Sequence, residues 1–244
     1  MPEVQNIIYE IEKFAPLESQ EKWDNSGWQI NLGKKYFSKI MTAVTVTYDI
    51  IQQAKEQKCD LILSHHPLIF SPLKSITKGE ITEAVKSGIQ IYSAHTNIDK
   101  ADGGTTDILS QKCGFGICEN KKDFIRYKNL DKEIEINFLK ADIKNKLNID
   151  FLKIVNLCNK KTIKSVAFCA GAGGGEIPFI QDLGIDLFIT GEVKFHEAID
   201  AKNSVVFAVG HYDSEKYINE IFKKILGNKY EIIEANEKRP YIFS

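Results

Sequence analysis

Two adjacent histidines, His65 and His66, stand inside the apolar run LILSHHPLIF, Leu61 to Phe70. Burying imidazoles in such a run costs free energy unless their nitrogens find partners. The chain has five histidines, and the other three keep similar company. His95 follows the apolar stretch IQIYSA, His211 follows SVVFAVG, and His196 comes a few residues after DLFIT. Carboxylates travel with them: Asp99 in SAHTNID, Glu192 in TGEVKFHE, Asp213 and Glu215 in GHYDSE. Neutral imidazole nitrogens and carboxylate oxygens form the ligand set for divalent zinc, iron, manganese, cobalt or nickel. His211 and Glu215 are four residues apart at the entrance to an expected helix, a spacing that lets both approach one centre. Successive strand residues point to opposite faces, so His65 and His66 share a centre only if the strand gives way to a loop before Pro67. His65, His66, Asp99, His211 and Glu215 make five ligands, more than one zinc takes from protein. A pair of ions bridged by a carboxylate fits that count.

The elements that must position these groups read as an α/β fold. VQNIIYEIEKF has helical spacing of apolar residues, and WDNSGWQI after it is polar and turn-like. KIMTAVTVTYD, DLILS and IQIYSAH then read as strands separated by the helices DIIQQAKEQKC and GEITEAVKSG. This βαβαβ alternation predicts a largely parallel central sheet with helices on both faces. Each histidine-bearing segment follows such a strand, and ligands bind outside the carboxyl ends of parallel strands. From about residue 121 the texture changes, with KEIEINF as a half-exposed strand, LKADIKNKLNI as a polar helix and FLKIVNL as a further strand. SVAFCAGAGGG, EIPFIQDLG and DLFIT form another strand–helix–strand unit, and SVVFAVG with SEKYINEIFKKIL closes the chain as a strand and a helix. The expected division is a discontinuous metal-binding domain, residues 1–120 plus 186–244, with a smaller α/β lobe inserted at 121–185.

Composition bounds the class. Of the 244 residues, 43% are hydrophobic and 27% charged, with a formal charge of −1, an ordinary globular balance. Five cysteines without a CxxC pair suit reduced thiols, and MPEVQNIIYE lacks a basic-then-apolar leader pattern, so a cytoplasmic protein with no membrane partner is expected. Residues 121–164 hold 12 Lys and Arg against 6 Asp and Glu, a surplus of +6 that either faces solvent or meets an anionic partner such as nucleic acid. AGAGGGE, Ala170 to Glu176, reads as a tight strand-to-helix turn, with phosphate contact as the alternative. Asp24 and Asn25 read as loop hydrogen-bonding residues, with a place facing the site as the alternative, and Cys113 and Cys118 as small loop residues, with a metal role as the alternative. No Ser-His-Asp arrangement or Walker A loop is present.

LILSHHPLIF, SAHTNID with DGGTTDIL, DLFITGEVKFHEA and GHYDSEK resemble, in order, motifs of the GTP cyclohydrolase 1 type 2 homologue family. That family is also named for the NGG-one-interacting factor three and described as a dinuclear-metal-centre family. WDNSGWQI and VTYDIIQQA match it as well, and the middle of the chain does not. The resemblance implies a two-lobed, three-layer α/β/α architecture, a toroidal homohexamer and two metal ions per chain. Carried over by motif, the ligands are His65, His66, Asp99, His211 and Glu215, with His95 and His196 facing the ligands or the substrate. The sequence departs from the pattern at Phe195, where many relatives place a histidine, and in the order of small residues in AGAGGGE. The function expected is a two-metal hydrolase using metal-activated water, with His95 and Glu215 as the proton-moving groups and a nucleotide as the substrate that the family name suggests. A metal-dependent phosphoesterase is the alternative enzyme. A non-catalytic metal-binding assembly, gripping nucleic acid through the basic segment, is the alternative of another kind.

Overall fold

The computed structural model describes residues 2–241. The chain divides into two compact units, residues 2–101 with 218–239 and residues 102–217 with 240–241. Each is mixed α/β and is built as helices over a sheet.

The first unit opens with α1 (Val4–Phe14), whose buried face is Val4, Ile7, Ile8 and Ile11, the spacing of one helical stripe. It continues through β1 (Gly27–Ile30), β2 (Ile40–Ala43), α2 (Tyr48–Glu56), β3 (Leu61–Ser64), α3 (Gly79–Ser87), β4 (Gln90–Ser93) and the short α4 (Thr96–Lys100). The side chain of Thr47 caps α2 by accepting from the Ile50 amide at 3.3 Å. Gly88, at φ 68°, ends α3 in the left-handed conformation that favours glycine. The five-stranded sheet runs β1-β4-β3-β2-β11, where β11 (Ile232–Glu234) joins after the later helix α10 (Ile218–Leu226). All its pairings are parallel except β1 with β4. β2, β3 and β4 are buried at every position, which is why their sequences show no polar alternation. Met41, Ile62 and Ile91 pack on one face with Ile50, Ile51 and Ala54 of α2 and Ile81 and Ala84 of α3. On the other face, Tyr92 donates its hydroxyl hydrogen bond to Glu12 of α1 at 2.8 Å.

The second unit holds α5 (Thr105–Lys112), β5 (Glu119–Lys122), β6 (Ile125–Glu135), α6 (Ile136–Leu147), β7 (Lys153–Val155), β8 (Thr162–Cys169), α7 (Ile177–Asp182), β9 (Leu187–Thr190), α8 (Phe195–Asp200), β10 (Val205–Ala208) and α9 (His211–Glu215). Its six-stranded sheet runs β5-β6-β8-β9-β10-β7, parallel at β8–β9–β10 and antiparallel elsewhere. Successive residues alternate between two cores. Val166, Phe168, Leu187, Ile189, Val205 and Phe207 pack with α5 and α6, while Ala167, Cys169, Phe188 and Val206 pack with Ile177 and Ile180 of α7. That is the three-layer arrangement expected.

The division differs from the expected inserted lobe of 121–185. β8 pairs in parallel with β9, and β7 pairs with β10, so residues on both sides of position 185 share one sheet and both cores. Lysine density reports the solvent face of a segment, whereas the unit boundary follows the hydrogen-bonded ladder. Three local readings also change. WDNSGWQI, expected as a turn, contributes the edge strand β1; the last expected helix breaks into α9 and α10; and the chain closes with β11 rather than with that helix. The five cysteines are free thiols, and among the described residues no helix is long and apolar enough to cross a membrane.

Candidate metal centre

In the first unit, β2, β3 and β4 lie in register so that Ala43, Ser64 and Ser93 are neighbours at the carboxyl edge. The ladder runs on past these ends: the His65 amide donates to Ala43 O at 3.1 Å and the His66 amide to Val44 O at 2.8 Å. His65 is thereby held with no exposed surface. Its Nδ1 lies 2.9 Å from Ala94 O, and a carbonyl only accepts, so Nδ1 carries the hydrogen. The other ring nitrogen, Nε2, faces Asp99 Oδ1 at 3.4 Å. Asp99 reaches that point from α4, the helix that follows His95. A fixed tautomer with its other nitrogen on a backbone carbonyl is the usual preparation of a metal-binding histidine.

His66 Nδ1 lies 2.7 Å from the hydroxyl of Thr45. The backbone carrying Thr45 is itself held, because Glu237 accepts from the Val44 and Thr45 amides at 2.8 and 2.9 Å. Burial raises the Glu237 carboxyl above its ordinary range against the pull of those two amides. His95 Nδ1 lies 2.8 Å from Asp24 Oδ1. The same carboxylate accepts from Ser26 Oγ, Thr96 Oγ1 and the Thr96 amide, the last at 3.0 Å. Burial opposes ionisation of Asp24, yet the hydrogen bonds from His95 and Thr96 win and hold its carboxyl well below the usual carboxylate range. The three rings cluster, with centroids 5.0 Å apart for His65–His66, 5.2 Å for His65–His95 and 5.6 Å for His66–His95. One ligand nitrogen from each lies within 4.8 Å of the others, a group able to hold a metal ion.

In the second unit, α9 begins at His211 directly after β10, and its first and last residues meet: His211 Nε2 is 3.1 Å from Glu215 Oε2. Glu192, just after β9, approaches the other ring nitrogen at 3.4 Å. Burial works against a charge on His211, but Glu215, through its hydrogen bond and its charge, and then Glu192 outweigh it and raise His211 to about 9. The glycine-rich loop explains itself here. A Cβ on Gly171, at φ +68°, would lie 2.3 Å from Glu215 Oε1 and 3.7 Å from His211 Nε2, so glycine leaves the room these side chains occupy. The loop's amides are used internally: Gly171 N donates to Ser214 Oγ at 2.9 Å and Gly173 N to Thr190 Oγ1 at 3.1 Å. AGAGGGE is a tight turn shaped around the His211–Glu215 pair.

The expected residues therefore fall into two groups, each within one unit. His65, His66, His95 and Asp99 gather in the first, and His211 and Glu215, with Glu192, in the second. His196 is exposed on α8 beside Phe195, which is 82% exposed, and it belongs to neither group. The basic surplus is spread and partly neutralised inside the unit, by Lys122 with Glu176, Lys146 with Asp142 and Lys160 with Asp186. Reading the sequence undervalued Asp24, although its signal is visible in a polar turn bracketed by Trp23 and Trp28. Glu237 carries no local signal, since its partners lie 193 and 192 positions away.

A curated protein of Clostridium perfringens, named GTP cyclohydrolase 1 type 2 homolog, is 33% identical over 258 residues and covers 98% of each chain. One of the same name from Campylobacter jejuni is 31% identical over 242 residues, covering 95% of each. The crystal structure of a Bacillus cereus protein related to NIF3 has the same fold, with a TM-score of 0.88 at 19% identity over 100% of this chain and 99% of that one. The family model of Duf34/NIF3 (NGG1p interacting factor 3) matches residues 2–240, and the chain belongs to that family.

Proposed function

We propose that this protein is a metal-dependent hydrolase holding two divalent ions per chain through His65, His66, Asp99, His211 and Glu215. The observation that carries the reading is the buried His65 ring, held through Nδ1 by Ala94 O so that its Nε2 faces the Asp99 carboxylate at 3.4 Å. An imidazole nitrogen and a carboxylate oxygen brought this close suit a shared cation, and imidazole with carboxylate suits zinc, iron, manganese, cobalt or nickel alike. The space left by Gly171 beside Glu215 and His211 fits the same donor set. Such ions, when bound, supply Lewis acidity and acidify a coordinated water.

The chain's own groups then move protons. His95 has an ionised carboxylate, Asp24, at 2.8 Å from Nδ1, which orients the ring and stabilises it when Nε2 takes a proton from the attacking water. Glu215, 3.1 Å from His211 Nε2, is the second group placed to hold and return a proton. The relatives' name points to a nucleotide substrate and ring-opening hydrolysis, and a phosphoester is the other substrate this chemistry serves. In solution the chain is expected as the homohexamer implied by its family, measurable as a sixfold mass by light scattering.

Metal analysis with a hydrolysis assay on GTP and a phosphodiester tests the reading. The wild type should carry two equivalents of transition metal and turn over one of the two substrates. Asp99→Ala should lose metal and activity together. One equivalent or none in the wild type removes the basis of the proposal; two equivalents with no turnover above Asp99→Ala leaves a non-catalytic metal-binding protein.

A further inference from the structure

Two large rings beside the histidine group take no part in that chemistry. Trp23 is 58% exposed and Phe70 53%, although covering such rings is favourable by about 25 cal/mol for each Å² removed from water. Their centroids lie 5.8 Å apart with the planes at 43°. Each also meets His95 edge-on, Trp23 at 6.2 Å and 74°, Phe70 at 6.3 Å and 72°. The imidazole is thus the common wall of an open aromatic corner.

The corner is rigidly mounted. Asn25 Nδ2 donates to Ile69 O at 2.6 Å, which ties the segment carrying Trp23 to the one carrying Phe70. Gln29 doubles the tie, donating through Nε2 to Asn25 O at 2.6 Å and accepting from the Ile69 amide at 3.0 Å. Lys78 Nζ donates to Leu68 O at 3.1 Å on the far side. Rings held apart in this way lose little freedom when something settles on them. Exposed π-faces take a planar ring by stacking, largely without regard to its substituents. An occupant lying on Trp23 and Phe70 would sit within about one ring's width of His95, the group assigned above to proton transfer.

Resting on the hydrolase reading for its chemistry, we infer that Trp23 and Phe70 form a stacking platform that seats a planar heteroaromatic ring of the substrate, a nucleobase or one of similar size, against His95. The platform explains why two costly exposed rings are fastened where they are. It makes the ring, rather than a phosphate alone, the feature that is recognised.

Calorimetric titration of the full-length protein with guanosine 5′-monophosphate and with ribose 5-phosphate tests this, in metal-loaded and metal-free protein. The nucleotide should bind more tightly than the sugar phosphate. Trp23→Ala and Phe70→Ala should each weaken nucleotide binding about 5- to 150-fold, the loss of one base–aromatic stack. Trp23→Phe should restore most of it. Metal content and solution mass should stay at wild-type values in all three variants. Equal binding of the two ligands, or alanine variants that bind the nucleotide as wild type does, overturns the platform. A fall in mass together with the loss of binding overturns it too, and assigns the rings to self-association, as the neighbouring exposed Leu73 and Ile76 would suit. Stacking does not need the ions, so the two readings fail separately. Trp23-dependent nucleotide binding in protein that takes up no metal would sink the metal reading and keep the platform.

Discussion

The histidine group of the first unit and the His211–Glu215 pair of the second are both mounted at the carboxyl ends of parallel strands, yet they are prepared in opposite ways. His65, His66 and His95 are steadied through Nδ1 by a carbonyl, a hydroxyl and a carboxylate respectively. The carbonyl at His65 Nδ1 leaves Nε2 turned toward Asp99. His211 instead lies between two carboxylates, 3.1 and 3.4 Å from its ring nitrogens, and keeps a proton up to about 9. On the proposed reading, these anchors set the first group for a cation before one arrives. The second holds a proton where a cation would go, so filling it requires that proton to leave.

The harshest test of this contrast removes one ligand from each side. His65→Ala and His211→Ala should each weaken metal binding by more than about 100-fold, beyond the effect of losing a partner behind a ligand. Chelator competition at pH 7 measures both. If either variant keeps two equivalents at wild-type affinity, the contrast has no bearing on metal. A milder change sharpens it. Asp24→Asn keeps the size of the group behind His95 and removes its charge, and should cost about 10- to 100-fold in turnover while leaving metal content at the wild-type value. Asp24 also accepts from Ser26 and Thr96, so the variant should be more sensitive to urea. Its depressed carboxyl pKa adds stability that is present above its ordinary value near 3.8 and lost as the pH falls below that. The variant should therefore lose the wild type's acid transition in that window, followed by circular dichroism.

Much of this was legible in the residue order, for a physical reason. Buried parallel strands read as unbroken apolar runs, and the polar residues that end them stand out, which is how His65, His66, His95 and His211 declared themselves. Glu215 was legible because one helical turn links it to His211, and Asp99 because it accompanies His95 in SAHTNID. What could not be read depends on register across distant segments. Asp24 reaches His95 over 71 positions, and Glu237 reaches Val44 over 193, distances at which no local pattern survives. The domain boundary was misjudged for the same reason, since β7 and β8 reveal their sheet partners only once the ladder is formed. AGAGGGE read as a tight turn, but phosphate contact stayed open as the alternative because glycine spacing reports close approach without saying what approaches. Here the close neighbours are Glu215 and His211.

The smallest expected effect per step comes from pH, and it separates the two sides without any mutation of the second. In the His65→Ala background only the His211–Glu215 side is left with its own residues intact. Its apparent metal affinity should rise about tenfold per pH unit from pH 7 and level off near pH 9, because one proton leaves His211 for each ion bound. The same proton sets the stability of the metal-free protein in the opposite sense. A histidine whose pKa is raised on folding contributes stability that is complete below its ordinary value near 6.5 and is lost as the pH climbs through about 9. Urea midpoints of metal-free wild type should therefore fall between pH 6 and pH 10, and those of His211→Ala should fall less. In the complementary His211→Ala background the histidine group of the first unit should show a flatter dependence over the same range. His65 has a carbonyl at Nδ1 where His211 has a second carboxylate. Equal slopes in the two backgrounds would mean that both sides hold protons alike, and the distinction between a prepared site and a displaced one would be lost.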